Sequence, residues 1–372
     1  MKTLTLLLAI IAVSMSFLSA MQTEQTGFPA AEKFFGNTVQ PMPGPVGNFR
    51  FIYKITLNGN PEPFPLLQDN RLYLSTDKGV LYCIYTPSGT IQWNIAFGKI
   101  YGAPLVNGNF IYIAAQDRTI HKVNKLNGSI VWKTPFDTQI MGCSGFYNGH
   151  IFCMGEDGKL YRVNDRDGQT SSTHQTDLNP LINGVVEKSV LYLPGKNNVL
   201  IAYDLQDLRT RFSTETESDI ISPPLVGTDL VYVVDRRKLS AINKITGRVK
   251  WVKRINLRWF HDSVPAPLYY KGRIFLGARG FHYESGVGSW IYYGKGKQLT
   301  DTAIAGKYMY YGGSNYFPEG SKKGFIEIVD IDERKTAYRF TMDEIPVNKI
   351  LISGKILLFF NESGVLYGYA GS

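Results

Sequence analysis

Cysteine, histidine and the recurring signatures of catalysis are scarce in this sequence. It holds three cysteines and five histidines in 372 residues. No histidine stands at a tight ligand spacing with Cys or Glu, which argues against a zinc-type site. His261, Asp262 and His282 come nearest to a metal or acid–base set, and no further ligand pattern completes them. Gly-x-Ser-x-Gly elbows, Walker loops and His-Glu-x-x-His patterns are all missing, so there is no identifiable nucleophile or phosphate cradle. Acidic residues form no cluster beyond those expected of turns, and a calcium cage needs convergent oxygen ligands. Long apolar runs are absent except at the start, where Met1-Lys2, an apolar run over 4–13 and small residues around Ser16 and Ala20 fit a secretory signal peptide. That run is shorter than the roughly 20 residues a spanning helix needs. The expectation is a signal peptide over 1–20, export to a periplasmic or extracellular location, and no transmembrane anchor after cleavage.

The three cysteines are Cys83, Cys143 and Cys153. An exported chain can form disulfides, and Cys143 and Cys153 flank a hairpin predicted from Asn148-Gly149. A two-residue turn there sets Ser144, not Cys143, opposite Cys153. A bond would require a bulge, and the simpler expectation is three buried free thiols.

What the sequence has in abundance is repetition, with a unit of about forty residues, a length typical of propeller blades. Ala103-Pro104-Leu105-Val106-Asn107-Gly108-Asn109-Phe110-Ile111-Tyr112 and Ser222-Pro223-Pro224-Leu225-Val226-Gly227-Thr228-Asp229-Leu230-Val231-Tyr232 are its clearest copies. Aligning the turn before each Tyr-like strand marks Asn70, Gly108, Gly149, Lys188, Thr228, Gly272, Gly306 and Gly354. Each marker separates strand A from strand B; a short turn leads to strand C, and strand D carries an aromatic such as Trp93, Trp132 or Trp251. The last marker leaves room only for strands A to C of its blade, and 49–55, with Tyr53 where Trp132 sits, supplies the missing D strand. The fold class is therefore all-β: one eight-bladed β-propeller of four-stranded antiparallel blades over 49–372, closed by an N-terminal strand. Residues 21–48, rich in proline, form a linker or arm. The D-strand aromatics are read as packing between blades, and Gly89, Gly128, Gly168 and Gly247 as positive-φ residues of C–D turns.

The segment Ala241-Ile242-Asn243-Lys244-Ile245-Thr246-Gly247-Arg248-Val249-Lys250-Trp251 resembles the Ala-x-Asp-x-x-Thr-Gly-x-x-x-Trp signature of the pyrroloquinoline-quinone-like propeller family, with Asn243 in place of Asp. Weaker copies run over 122–132 and 82–93. The resemblance covers about 49–369 and implies the fold rather than one activity. Its quinoprotein dehydrogenase branch holds a quinone and calcium beneath adjacent cysteines, a pair this chain lacks. Its non-enzymatic scaffold branch includes the propeller of the outer-membrane β-barrel assembly machinery, and matches in length, unit number and export. That branch usually carries a lipid anchor on an N-terminal cysteine, and this sequence has no cysteine in that region.

Charge adds two candidate surfaces. The formal net charge is +9, and the excess gathers around the fifth blade, where alternation puts Arg248, Lys250 and Arg254 on one face of strand D and Val249 with Trp251 on the other. The favoured reading is an edge strand kept soluble by charge; the alternative is a patch for lipopolysaccharide, a cell-wall polymer or an acidic protein. No nucleic-acid motif accompanies the charge. The second surface comes from 277–288 and 313–324, read as lengthened B–C loops, with the D–A connection around Arg258 opening on the same face. It gathers Arg258, Trp259, His261, Asp262, Arg279, His282, Tyr283 and Tyr316 as partner-binding residues. The functional expectation is an exported, non-catalytic, monomeric scaffold without cofactor that binds protein, with a quinone-dependent oxidoreductase or a carbohydrate-binding propeller as the alternatives.

Overall fold

The computed structural model describes residues 39–40, 42–62, 65–176, 183–195, 198–255, 266–292, 297–298, 300–316, 322–361 and 363–372. The expected signal peptide over 1–20 lies outside them. Among the described residues, regular structure is strand throughout, arranged as eight antiparallel sheets in which chain order and sheet order coincide, strand A of the seventh being split into Lys297–Gln298 and Ala303–Ala305, which both pair with Tyr308–Tyr316. The exception is the closing blade. There Arg50–Ile55 pairs with Leu366–Ala370, matching Lys54 with Tyr367 and Ile55 with Leu366, so the N-terminal strand completes the last sheet as expected.

All eight sequence markers fall in A–B turns. Most of these turns use left-handed backbone, which the sequence provides at positions such as Asn148 (φ 46°) and Gly149 (φ 71°). Strands B and C are the buried strands, with Leu72, Ile111, Ile151, Leu191 and Val231 at 0% exposure. Strand D is the outer, more exposed strand; in Thr90–Ala96, Ile130–Pro135 and Thr170–Gln175 exposed and half-buried residues alternate along most of the strand. Burial of wide apolar faces between blades supplies the core, since each cluster draws on two adjoining sheets. Tyr73, Leu81 and Cys83 of the first blade, for example, pack with Ile111, Ile113 and Val123 of the second.

The D-strand aromatics join neighbouring blades by a repeated device. The indole N–H of Trp93 donates to the carbonyl of Lys125 at 3.2 Å, that of Trp132 to Asp165 at 3.0 Å, that of Trp251 to Tyr283 at 3.0 Å and that of Trp290 to Ile331 at 2.8 Å. Each acceptor is the residue just after strand C of the next blade. At the closing seam the Tyr53 hydroxyl does the same, donating to Thr86 at 2.5 Å. A β-bulge displaces one residue immediately before each of these rings, as between Cys83 and Ile84 opposite Trp93 and between Lys122 and Val123 opposite Trp132. The turn glycines have the expected positive φ, and they have a second role: a Cβ on Gly128 would meet Trp93 at 2.9 Å, and one on Gly168 would meet Trp132 at 2.8 Å. The ring of one blade lies flat on the glycine of the next.

The expectation of three free thiols is corrected. Cys143 and Cys153 form a disulfide, and only Cys83 is free. The required bulge exists: Cys143 pairs with Cys153 and Gly145 with Phe152, leaving Ser144 as the extra residue. Gly142 (φ 145°) and Gly145 (φ 154°) permit that backbone. The bulge is used by the adjacent blade, because the Ser144 hydroxyl accepts from the Gly184 amide at 3.0 Å and the Asn183 side-chain amide donates to the carbonyls of Cys143 and Ala103.

The arm is partly docked. Gln40 bridges in parallel to Ala305: its N–H donates to Ile304, and its carbonyl accepts from Gly306. Val39 is 4% exposed in the cluster between the sixth and seventh blades. Val46 and Phe49 pack where the seventh and eighth blades meet, and Val46 N–H donates to the carbonyl of Ser372.

Candidate docking surface

Strict alternation of direction along a blade puts B–C and D–A connections on one face of the ring and A–B and C–D turns on the other. This rule decides which expected site residues can meet. Residues 277–288 are not a lengthened B–C loop. Strand B ends at Leu276 and strand C is Arg279–His282, so the B–C turn is only Gly277-Ala278, and 283–287 form the C–D turn. Strand C was hidden because it has four residues and no continuous apolar run, with Gly280 at its centre. Gly280 is needed there: a Cβ would lie 3.0 Å from both the Phe275 ring and Trp290.

Arg279 therefore sits beside the B–C turn, while His282 and Tyr283 sit on the opposite face. Tyr283 also serves the blade joint, since its carbonyl accepts from Trp251 and from the Tyr232 hydroxyl at 3.0 Å. Residues 313–316 and 322–324 do belong to an enlarged B–C hairpin. Tyr308–Tyr316 and Lys322–Asp330 pair along nine residues each, ending at Tyr316 opposite Lys322. Arg279 and Tyr316 thus share one face on adjoining blades. Arg258, Trp259, His261 and Asp262 lie outside the described residues.

The sequence reading missed the polar node below the long hairpin. Glu327 is 2% exposed and accepts from Tyr311 at 2.6 Å, Tyr292 at 2.7 Å and Thr336 at 2.9 Å, with Arg339 completing the set. Arg339 also donates to the Asn315 side-chain carbonyl at 3.1 Å and lies 3.9 Å above the Phe325 ring. Burial, then the bond to Glu327, pushes the Tyr311 phenol well above its usual range. A satisfied buried network of this kind stiffens the hairpin base, and Tyr292 ties it to the sixth blade. Nearby, burial raises the Asp301 carboxyl despite Lys349 at 3.9 Å. The signal for the node was present as Glu327 inside the apolar run Phe325-Ile326-Glu327-Ile328-Val329, a charge where burial demands a partner.

On the fifth blade Arg248, Lys250 and Arg254 are all exposed. The face assignment needs one correction. Ala241 pairs with Trp251 and Ile242 with Val249, so Lys250 is the bulged residue and Val249 does not follow Trp251 inward; it is 44% exposed. Among the described residues, no group of three or more His, Cys, Asp or Glu side chains is placed to hold a metal ion.

Eight four-stranded blades with a repeated C–D turn and D-strand aromatic define a PQQ-like β-propeller. The sequence pattern of the family described as outer membrane protein assembly factor BamB matches residues 48–169 and 156–306, and the chain belongs to that family. BamB of Yersinia pestis is 24% identical over 226 residues, 56% of each chain, and BamB of Moranella endobia is 22% identical over 256 residues, 63% of each. The chain thus spans somewhat more than half the length of these curated relatives. BamB from Moraxella catarrhalis shares the fold with a TM-score of 0.65 and 12% identity, covering 87% of this chain and 99% of that one. Quinohemoprotein alcohol dehydrogenase from Comamonas testosteroni, at a TM-score of 0.65 and 9% identity, covers 87% of this chain and 77% of its own; its likeness is one of fold alone.

Proposed function

We propose that this protein is an exported, non-catalytic scaffold that docks a protein partner during outer-membrane protein assembly. The observation that carries the proposal is family membership across most of the ring, together with relatives named as assembly factors. The docking face is the one bearing B–C and D–A connections. Tyr316 ends strand B of the seventh blade at that face and Arg279 adjoins the B–C turn of the sixth blade, and Arg258, Trp259, His261 and Asp262 are the further residues proposed for the surface. Aromatic and arginine side chains on loops held by a stiff scaffold are the kind that anchor protein partners. His282 and Tyr283 belong to the opposite face and are withdrawn from this surface.

The test is co-purification of the tagged protein with the β-barrel assembly machinery from solubilised bacterial envelopes. Capture is expected, and Trp259→Ala is expected to weaken it by about 2 kcal/mol, a scale typical of an interface anchor, without lowering the melting temperature. Trp132→Ala should do the reverse, losing roughly 3–5 kcal/mol of stability as a large packed ring is removed. Absence of capture by the folded wild-type protein overturns the proposal. Turnover in a dye-linked oxidation assay after addition of pyrroloquinoline quinone and calcium would overturn its non-catalytic part.

A further inference from the structure

The outer edge of the fifth and sixth blades combines cations and aliphatic groups in a way the scaffold reading does not use. Strand D of the fifth blade, Val249–Arg254, is the outermost strand of its sheet. Its exposed residues are Val249 (44%), Lys250, Val252 (39%) and Arg254, with exposed Arg248 just before it. The adjoining C–D turn exposes Ile245 at 82%, and the sixth blade adds Val287 at 60% and Ile291 at 39%. These side chains are aliphatic, and between Arg248 and Arg254 no acidic residue intervenes. The bulge at Lys250 is what turns both Val249 and Lys250 outward, so four of the strand's six residues are exposed.

We infer that this rim is a contact for an anionic lipid bilayer. The charge is complementary: juxtamembrane cations are each drawn to an anionic leaflet, and short aliphatic groups beside them can enter the interfacial zone. The composition also favours a lipid over a protein partner. Protein interface centres are enriched in large aromatic anchors held in pockets, whereas the exposed apolar groups of this rim are Val and Ile. Two carboxylates of this region are engaged elsewhere, Glu217 with Lys238 and Arg237 and Glu187 with Lys244 at 3.2 Å, and Glu284, exposed in the turn that carries Val287, offsets only part of the charge of Arg248, Lys250 and Arg254. The inference is independent of which partner docks on the B–C face.

The experiment is sedimentation of the mature protein with vesicles of phosphatidylcholine alone or with phosphatidylglycerol added, at low and high salt. Binding is expected only with phosphatidylglycerol and is expected to fall as salt screens the surface. The variant Arg248→Gln/Lys250→Gln/Arg254→Gln should weaken partition by roughly a hundred-fold, at about fivefold per cation near the surface. Val249→Thr/Val252→Thr keeps β-branched shape and should also weaken it, with an unchanged melting curve confirming the fold of both variants. Equal binding to neutral vesicles, or salt-independent binding by the wild-type protein, overturns the inference without any variant. Unchanged partition of the triple variant also overturns it, and so does loss of protein capture by that variant with vesicle binding intact, which would make the rim a protein contact.

Discussion

Gly128 and Gly149 permit a controlled test of the joint between blades. Both have left-handed backbone, at φ 75° and 71°, so alanine at either position incurs the same conformational penalty, about 1–2 kcal/mol for an L-residue in that region. Their surroundings differ. A Cβ on Gly149 meets nothing within 4 Å, whereas one on Gly128 falls 2.9 Å from Trp93 Cδ2 and 3.1 Å from two further ring atoms. Trp93 has little room to retreat, because its indole N–H is held by the Lys125 carbonyl at 3.2 Å and its ring rests 6.0 Å from that of Tyr73. Overpacking of this kind adds roughly 1–3 kcal/mol. Gly149→Ala should therefore cost about 1–2 kcal/mol and Gly128→Ala about 2–5 kcal/mol. Urea unfolding followed by far-UV circular dichroism measures both, provided the slope stays constant between variants. In a Trp93→Ala background the extra cost of Gly128→Ala should shrink to that of Gly149→Ala, since the two residues couple through one contact. Equal costs in the native background, or an excess that survives removal of Trp93, would refute the joint as described.

Three further outcomes follow from the same structure. Tyr53→Phe removes only the hydroxyl that reaches Thr86, a residue with 0% exposure, and should lower stability by about 1–3 kcal/mol by leaving a buried carbonyl unpaired, read as a shift in the urea midpoint. Reducing agent, or Cys143→Ser/Cys153→Ser, opens a disulfide spanning ten residues and should cost about 2–3 kcal/mol on the loop-entropy scale; an identical melting temperature with and without reductant would show that the bond adds nothing. The Gln206 amide and then the Arg211 fork hold the Asp204 carboxyl below its usual range. Its contribution is present above the unfolded value and is lost as pH falls through the lower folded value, so Asp204→Asn should flatten the decline in melting temperature below about pH 4.

The blade count and the closing strand were legible because most blades repeat one local grammar: a left-handed A–B turn, an apolar B strand, a glycine C–D turn and a D-strand ring, so that blades missing one sign, such as the third with Ser172 at the ring position, could still be counted from the others. Tyr53 could be aligned with Trp132 from sequence because its strand resembles the other D strands and stands just before the first A strand. Two things were not legible. The first was any bulge, since a bulge shifts pairing by one residue without leaving a composition signal; Ser144 and Lys250 are ordinary residues, and the disulfide and the outward turn of Val249 both depended on them. The second was the sixth blade's strand C, where Arg279–His282 lacks the apolar run that identified the other strands, and its loss moved His282 and Tyr283 to the wrong face. Glu327 could have been found, as a lone charge in a buried run. Its partners Tyr292 and Arg339 could not, because they come from a different blade and a different strand.

The seam between Tyr53 and Thr86 is built like the internal seams at Trp93, Trp132, Trp251 and Trp290, and Ser372 lies hydrogen-bonded beside Val46 and Gly47. A ring closed in this manner has no privileged origin. Joining Ser372 to the backbone near Gly47 and reopening the polypeptide between two other blades would replace those terminal hydrogen bonds with a covalent link and preserve the seams between blades, and only the order of synthesis would change.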